Sequence, residues 1–394
     1  MRTIVAVILG CVVAFGITVR ASLVVPEWNS ISPTNPVPAK ATFYIDFDGD
    51  FTASYSAPPG QPAYTPGTTP AYDLDGNPND FSAQELTNMQ EIWARISEIY
   101  SPFNVNVTTK DPLVYNNQQA LKVVVGGNGA WLGEVAGGVS PFNIGAFTNS
   151  EPNLGFAFPD NLSGGDPKKV ALAAAHEAGH MFGLVHQSTY NVIFLKDEYN
   201  PGTPQKAPIM GRAFDSDRGL WWNGQSRKGW NILQDDMAVI STLGSTANDF
   251  GYRPDDHGST IPAADLLTVN PDFTISVGGI IEKTTDADYF AFTTAGGNAS
   301  FDVNVAPFGA MLDASLQLFD SNGALLASSA TSSLGEHLSW YLPAGTYSLA
   351  VLSAGNYGDV GQYTLTGSLI PEPGSIGLLM MAGGLMLSRR GRRR

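Results

Sequence analysis

At 394 residues the chain has room for two or three domains of roughly 150 residues, each with its own hydrophobic core. With 43% hydrophobic and 10% aromatic residues it is neither a disordered chain nor a polytopic membrane protein. Its 21 basic and 36 acidic residues give a net charge of -15, which would repel a polyphosphate, so no nucleic-acid partner is expected.

Residues 1–21 have the order of a secretory signal: Arg2, the apolar run Ile4 to Val19, then Val-Arg-Ala before Ser22. Cys11 lies in this run and is the sole cysteine, so the mature chain excludes disulfides, cysteine-ligated metals and a cysteine nucleophile. Residues 22–40 are Pro-rich and aperiodic, an extended arm too small for a folded inhibitory prodomain.

An α+β domain is expected over 41–250. Phe43, Ile45 and Phe47 alternate with Tyr44, Asp46 and Asp48 as in a half-buried strand, and 52–79 reads as a long loop. Ser82 with Glu85 makes a capping box, after which Leu86, Met89, Trp93, Ile96 and Tyr100 recur at helical spacing. Val105 with Val107, Leu121 to Val125, and Gly155 to Phe158 read as further strands. Asp166-Pro167 starts an alanine-rich helix that Gly183 should stop, and another helix is expected from about Asn231, with Leu233, Met237 and Ile240 on one face.

Three of the five histidines lie within one short stretch, His176-Glu-Ala-Gly-His180-Met-Phe-Gly183-Leu-Val-His186. Positions four apart share a helix face, so His176 and His180 can ligate one ion, for which zinc suits their nitrogens. His186 would stand roughly 15 Å further along a continued helix. A positive φ at Gly183 ends the helix and lets the chain turn back, making His186 the third ligand and leaving a position open for water. Glu177, about 100° around the helix from His176, stands beside the ion as a general base and then acid.

These residues match the His-Glu-x-x-His-x-x-Gly-x-x-His signature of the metzincin zinc metallopeptidases, which the chain resembles over about 41–250. The resemblance implies a methionine turn beneath the metal, for which Pro208-Ile-Met210-Gly211 stands in place, with Met210 as a polarizable floor. Gln187 after the third histidine fits no branch variant. The absence of a tyrosine just after Met210 makes the site more similar to matrixin-like and reprolysin-like members. The resemblance also implies an edge strand that pairs with extended substrate, here assigned to Gly155-Phe156-Ala157-Phe158. One catalytic zinc is thus expected.

Asp46-Phe-Asp48-Gly-Asp50 and Asp73-Leu-Asp75-Gly-Asn77 have the acidic spacing of calcium loops. Their glycine falls at the fourth position and no glutamate stands at the twelfth, so they are read as solvated acids and calcium has no motif to support it. His257 and His337 are read as surface residues.

Residues 251–261 have a linker's composition, and 262–368 show alternating apolar pairs between turn clusters, as in an all-β sandwich. Asp286-Ala-Asp288-Tyr-Phe290, Leu312-Asp313-Ala-Ser-Leu-Gln-Leu318, Leu342-Pro-Ala-Gly-Thr-Tyr347 and Gly361-Gln-Tyr-Thr-Leu365 make this part similar to bacterial prepeptidase C-terminal domains. Such domains accompany secreted peptidases, and a rigid stalk between enzyme and tail is an equally compatible role. Residues 371–394 comprise Pro371-Glu-Pro, the apolar run Ile376 to Leu387 and five terminal arginines. They resemble a PEP-CTERM sorting signal, which implies transient membrane association, processing by signal peptidase and an exosortase, and export by a Gram-negative bacterium. Without both signals 14 basic and 35 acidic residues remain, a charge of -21.

The expected function is a secreted zinc endopeptidase acting on extracellular proteins or peptides. The alternative is a non-catalytic cell-surface or matrix-binding protein on a zinc-containing scaffold, and the intact Glu177 favours the enzyme.

Overall fold

The apolar alternation after Lys40 builds strand β1 (Ala41–Asp46). The computed structural model describes residues 23–31, 38–57, 61–141, 146–149 and 151–371. The secretory signal and all but the first residue of the sorting segment lie outside them. A small hairpin pairs β2 (Asp50–Thr52), at the entry to the expected loop, with β3 (Gly67–Thr69) inside it. Helix α1 (Ala83–Ile99) opens on the expected capping box, Ser82 Oγ accepting from Glu85 N while the Glu85 carboxylate accepts from Ser82 N at 2.6 Å. The chain continues through β4 (Val105–Thr108), β5 (Ala120–Val125), β6 (Gly138–Val139) and β7 (Leu154–Ala157).

These strands form one sheet in the order β4-β1-β5-β7-β6, with β6 antiparallel to β7 and the other pairs parallel. Helices α1 and α2 (Pro167–Met181) share a core with the sheet face that carries Phe43, Ile45, Val105, Val107, Val123 and Val125. The expectation of a half-buried β1 is corrected, because its other face is covered too: Tyr44 stacks on Tyr115 and only 6% of its surface is exposed. Asp46 is likewise no solvated acid. It is buried, with Lys122 Nζ at 3.5 Å compensating its charge. The second acidic run does end in a surface loop, Asp73 Oδ1 accepting from the backbone N–H groups of Asp75, Gly76 and Asn77. The described part of the arm runs along the outer side of β4, where Asn29 bridges Thr108 and Ser30 N donates to Val107 O.

After α2 come the hairpin β8 (Thr189–Asn191) and β9 (Phe194–Asp197), then the parallel pair β10 (Lys206–Pro208) and β11 (Arg218–Leu220). A second hairpin, β12 (Asn223–Ser226) and β13 (Gly229–Asp235), leads into the short helix α3 (Asp236–Ile240). The helix expected from Asn231 is therefore a strand as far as Asp235. Leu233 is exposed, and only Met237 and Ile240 of the expected face are buried.

The remainder is a β-sandwich. Its strands are β14 (Asp265–Leu266), β15 (Thr274–Ile281), β16 (Ala287–Thr294), β17 (Gly297–Val305), β18 (Ala314–Phe319), β19 (Leu325–Ser329), β20 (Glu336–Leu342), β21 (Gly345–Ser353) and β22 (Gly361–Pro371). The sheets run β14-β16-β21-β18-β19 and β15-β22-β17-β20. Alternate residues such as Phe290, Phe292, Phe301, Leu316, Leu349 and Leu365 fill the space between them. Strand β22 runs past residue 368 and ends on Pro371, which pairs with Gly297.

The expected linker is also corrected. Phe103 bridges Tyr252, Arg253 N donates to Pro102 O, and Met311 and Val360 of the sandwich are buried in the core of the first unit. His257 is packed against Phe290, with Nδ1 2.7 Å from Asp265 and Nε2 2.9 Å from Gly278 O. Both nitrogens face acceptors, which favours the doubly protonated ring and, against burial, raises its pKa above the usual histidine value. His337 is exposed, as expected, and meets Asp302. Among the described residues no helix is long and apolar enough to cross a membrane.

Candidate metal centre

Helix α2 is set at its start by Asp166, whose side chain accepts from Lys169 N, with Pro167 at the first helical position. It ends in a Schellman turn. Gly183 takes φ +98°, its N–H donates to His180 O, and Leu184 N donates to Gly179 O. The turn reverses the chain so that His186 faces His176 and His180. One ligand atom from each of the three lies within 4.8 Å of the others.

The atoms that meet are selected by what holds the far side of each ring. His176 Nδ1 lies 2.8 Å from Ile209 O, His180 Nδ1 2.8 Å from Leu184 O, and His186 Nδ1 3.2 Å from Glu198 Oε1. An acceptor at Nδ1 fixes the proton there and turns the Nε2 lone pair toward the shared point. His180 Nε2 and His186 Nε2 are 3.1 Å apart, near the roughly 3.3 Å between two nitrogens on one tetrahedral zinc. Two lone pairs at that separation repel unless a cation lies between them. Burial pushes His176 down to about 4. Burial and then its charged neighbours push His186 down to about 3, so both rings stay neutral and available to a metal at neutral pH. This donor set fits zinc.

Met210 is fully buried against helix α2. A Cβ on Gly179 would stand 2.6 Å from Met210 Sδ, so the methionine sits directly under the helix between the two histidines. Its carbonyl accepts from Gln187 N, and Ile209 O holds His176.

Glu177 is 7% exposed, and Ser140 Oγ donates to its Oε2 at 2.7 Å. Burial raises its carboxyl to about 8, against the Ser140 hydrogen bond. Gly138 lies against it, since a Cβ there would be 2.7 Å from Glu177 Oε1 and 2.7 Å from Phe156 O. Gly155–Phe158 is not the sheet edge. Residues 155–157 are in β7, with β5 on one side and β6 on the other, and Phe158 lies beyond the strand. The edge is β6, Gly138–Val139, two residues long and bordering the site through Gly138 and Ser140.

The motif did not reveal several other residues of the site. Glu198 binds His186 and lies 3.3 Å from Arg227 Nε. Tyr199 packs its ring 4.2 Å from that of His186, arriving from the segment before Met210 rather than after it. Gln187 is fully buried, its Nε2 donating to Asp236 Oδ1 at 2.7 Å. Only Glu198 carried a usable sign, as a carboxylate on the chain that leaves the third histidine.

No family model matches the chain, and no curated protein matches it. Among solved structures, the chain is similar to the pre-peptidase C-terminal domain of collagenase from Bacillus anthracis at 16% identity and a TM-score of 0.23, over 29% of this chain and 98% of that one. It is also similar to PliG of Aeromonas hydrophila, a periplasmic inhibitor of g-type lysozyme, at 12% identity and a TM-score of 0.22, over 27% of this chain and 94% of that one. Likenesses of this size say nothing about the chemistry of the histidine centre.

Proposed function

We propose that the chain is a zinc-dependent endopeptidase of the metzincin type, exported and acting on extracellular proteins. The observation that carries this reading is the convergence of three imidazoles, each with Nδ1 held by an acceptor, beside a buried carboxylate that is not itself one of the converging groups.

A zinc ion held by His176, His180 and His186 supplies Lewis acidity for a water molecule and for the scissile carbonyl. Glu177, raised to about 8 by burial, would be returned toward the carboxylate by a cation held beside it, and then takes a proton from the attacking water and returns it to the leaving amine. Ser140, which donates to Glu177 Oε2, orients that carboxylate and leaves Oε1 for the proton. The main-chain groups of β6 at the sheet edge suit an extended peptide laid alongside the site. Glu198 and the carbonyls of Ile209 and Leu184 keep the three rings in one tautomer, as a metal centre of this chemistry needs. The β-sandwich is read as a prepeptidase C-terminal-like unit, and the two terminal segments as export and sorting signals.

The test is cleavage of an unfolded protein and of a fluorogenic peptide library by the purified chain, with and without a zinc chelator. Glu177→Ala should keep stoichiometric zinc and lose activity by about 10²- to 10⁴-fold. Full activity in that variant, or after zinc removal, would overturn the zinc mechanism. A zinc-loaded wild type that cuts nothing would establish the binding scaffold instead.

A further inference from the structure

Two hairpins beside the metal centre expose apolar side chains for which the chemistry of that centre has no use. The run Val192-Ile193-Phe194-Leu195 spans the turn and outgoing strand of β8–β9, and all four are exposed, Val192 at 80% and Phe194 at 72%. On β12–β13, Trp230, Ile232 and Leu233 are exposed as well, Leu233 at 67%. The hairpins stand side by side. Tyr190 Oη donates to Ser226 O at 2.9 Å, Ser188 N donates to Gln225 O, and β9 lies against β13. The seven side chains therefore belong to one projecting surface, larger than scattered apolar residues on a soluble protein.

Neither packing nor turn chemistry asks for these residues. A surface strand alternates apolar and polar positions, but consecutive residues of β9 and of β13 are exposed, so both faces of each strand meet solvent. Asn191 pairs with Phe194, leaving Val192 and Ile193 as a two-residue turn. Val192 takes φ +58° and Ile193 has no positive φ, which is the turn form that ordinarily has glycine at its first central position. A β-branched residue is strained there. Glycine would relieve the strain and remove an exposed apolar side chain at once. What favours valine therefore lies outside the fold, in something that the tip touches.

Charge selects the partner. From 189 to 196 and from 223 to 234 the chain has Lys196, Arg227 and Lys228 and no acid, whereas the mature chain as a whole has 14 basic and 35 acidic residues. Asp197, Glu198 and Asp235 stand at the hairpin roots, where Asp197 lies 3.5 Å from Lys196 and Glu198 3.3 Å from Arg227. We propose that the two hairpins dock the protein on an anionic lipid bilayer, the aliphatic tips and Trp230 entering the headgroup boundary while Lys196, Arg227 and Lys228 meet lipid phosphates. Protruding tips need a fluid apolar phase rather than a matching pocket, and a tryptophan beside cations suits the lipid interface. This surface is separate from the terminal segment expected to associate with a membrane, and it does not depend on the peptidase reading.

The experiment uses the mature chain, which has no cysteine, so that Ile193→Cys supplies the single thiol for an environment-sensitive fluorophore. With vesicles of equimolar phosphatidylcholine and phosphatidylglycerol, the label should shift to the blue and gain roughly twofold in intensity. Vesicles of phosphatidylcholine alone should bind roughly tenfold more weakly. Leu325→Cys, labelled at an exposed position of the sandwich, should not respond. In cosedimentation, Phe194→Ser combined with Trp230→Ser should weaken vesicle binding roughly tenfold at an unchanged melting temperature. Glu177→Ala should bind vesicles as the wild type does, so that failure of the peptidase reading leaves this one standing. Vesicle binding with the label at residue 193 still in water would mean that the terminal segment alone holds the chain, and would overturn the proposal. Equal affinity for neutral and anionic vesicles would do the same, as would a label that responds to an unfolded protein or to a second copy of the chain but not to vesicles.

Discussion

Gly138 shows how much of the centre depends on the lack of a side chain. It lies in β6, and a methyl group there would press on Glu177 Oε1 and on the carbonyl of Phe156 at once. The backbone contact has no side-chain torsion to relieve it, so the strand or the glutamate must move. Glu177 is the softer of the two, and a displacement of about 1 Å in a catalytic group costs on the order of 10²-fold in rate. Gly138→Ala should therefore lower kcat at least tenfold with zinc content unchanged, measured by peptide hydrolysis alongside metal analysis. A variant with wild-type kcat would show that β6 yields instead. The glycine signal that the sequence did expose was Gly183, because a positive φ has a spacing consequence for His186. Gly138 had none, since its need arises from residues that are neighbours only after the sheet forms.

At the scale of elements, the hairpin β12–β13 and helix α3 are tied to the metal centre through one buried carboxylate. Asp236 is 0% exposed and accepts from Gln187 Nε2 at 2.7 Å, Gln234 Nε2 at 2.9 Å and Trp222 N at 2.9 Å. Burial raises its carboxyl to about 7 in spite of these three donors. Asp236→Ala leaves all three donors in a closed interior, which should cost about 3 kcal/mol in stability. Because Gln187 directly follows His186, zinc affinity should also fall about tenfold. Chemical denaturation and competition with a chromophoric chelator read the two effects, and intact zinc affinity in a destabilised variant would refute the link to His186. The same region shows why the helix expected at Asn231 failed. Leu233, Met237 and Ile240 have helical spacing by coincidence, while the hairpin that claims Leu233 is fixed by pairing with Gln225. The edge strand was misassigned for a related reason, since a two-residue strand has no period to detect. Helices α1 and α2 were legible because their caps and spacing are local.

For the whole molecule, the sequence suggested two units on a linker, whereas the sandwich reaches into the first unit. Met311 and Val360 complete its core, Tyr357 Oη donates to Asp235 Oδ1 at 2.5 Å, and Arg218 holds Asp359 at 2.8 Å and the carbonyl of Met311. Composition could mark the junction but could not reveal contacts across more than a hundred residues. Glu98 on α1, like Asp359, is a carboxylate sealed inside this contact. It is 0% exposed and accepts from Met311 N, Gln362 N and Gln362 Nε2, each at 3.1 Å. Burial outweighs these bonds and the nearby Arg218 charge, raising the carboxyl from 4.5 to about 7. A raised folded value means that the folded state holds the proton more tightly than the unfolded chain. The contribution is therefore complete below about pH 4.5 and is lost as pH rises through 7, amounting to about 3 kcal/mol. Glu98→Gln cannot ionise. Its stability relative to the wild type should thus improve by about 3 kcal/mol between pH 4.5 and pH 8, whatever fixed cost the amide incurs by losing an acceptor oxygen. Denaturant titrations of both chains across that range supply the measurement. A difference that stays constant with pH would mean that Glu98 remains ionised in the folded protein and that its three donors and Arg218 outweigh its burial.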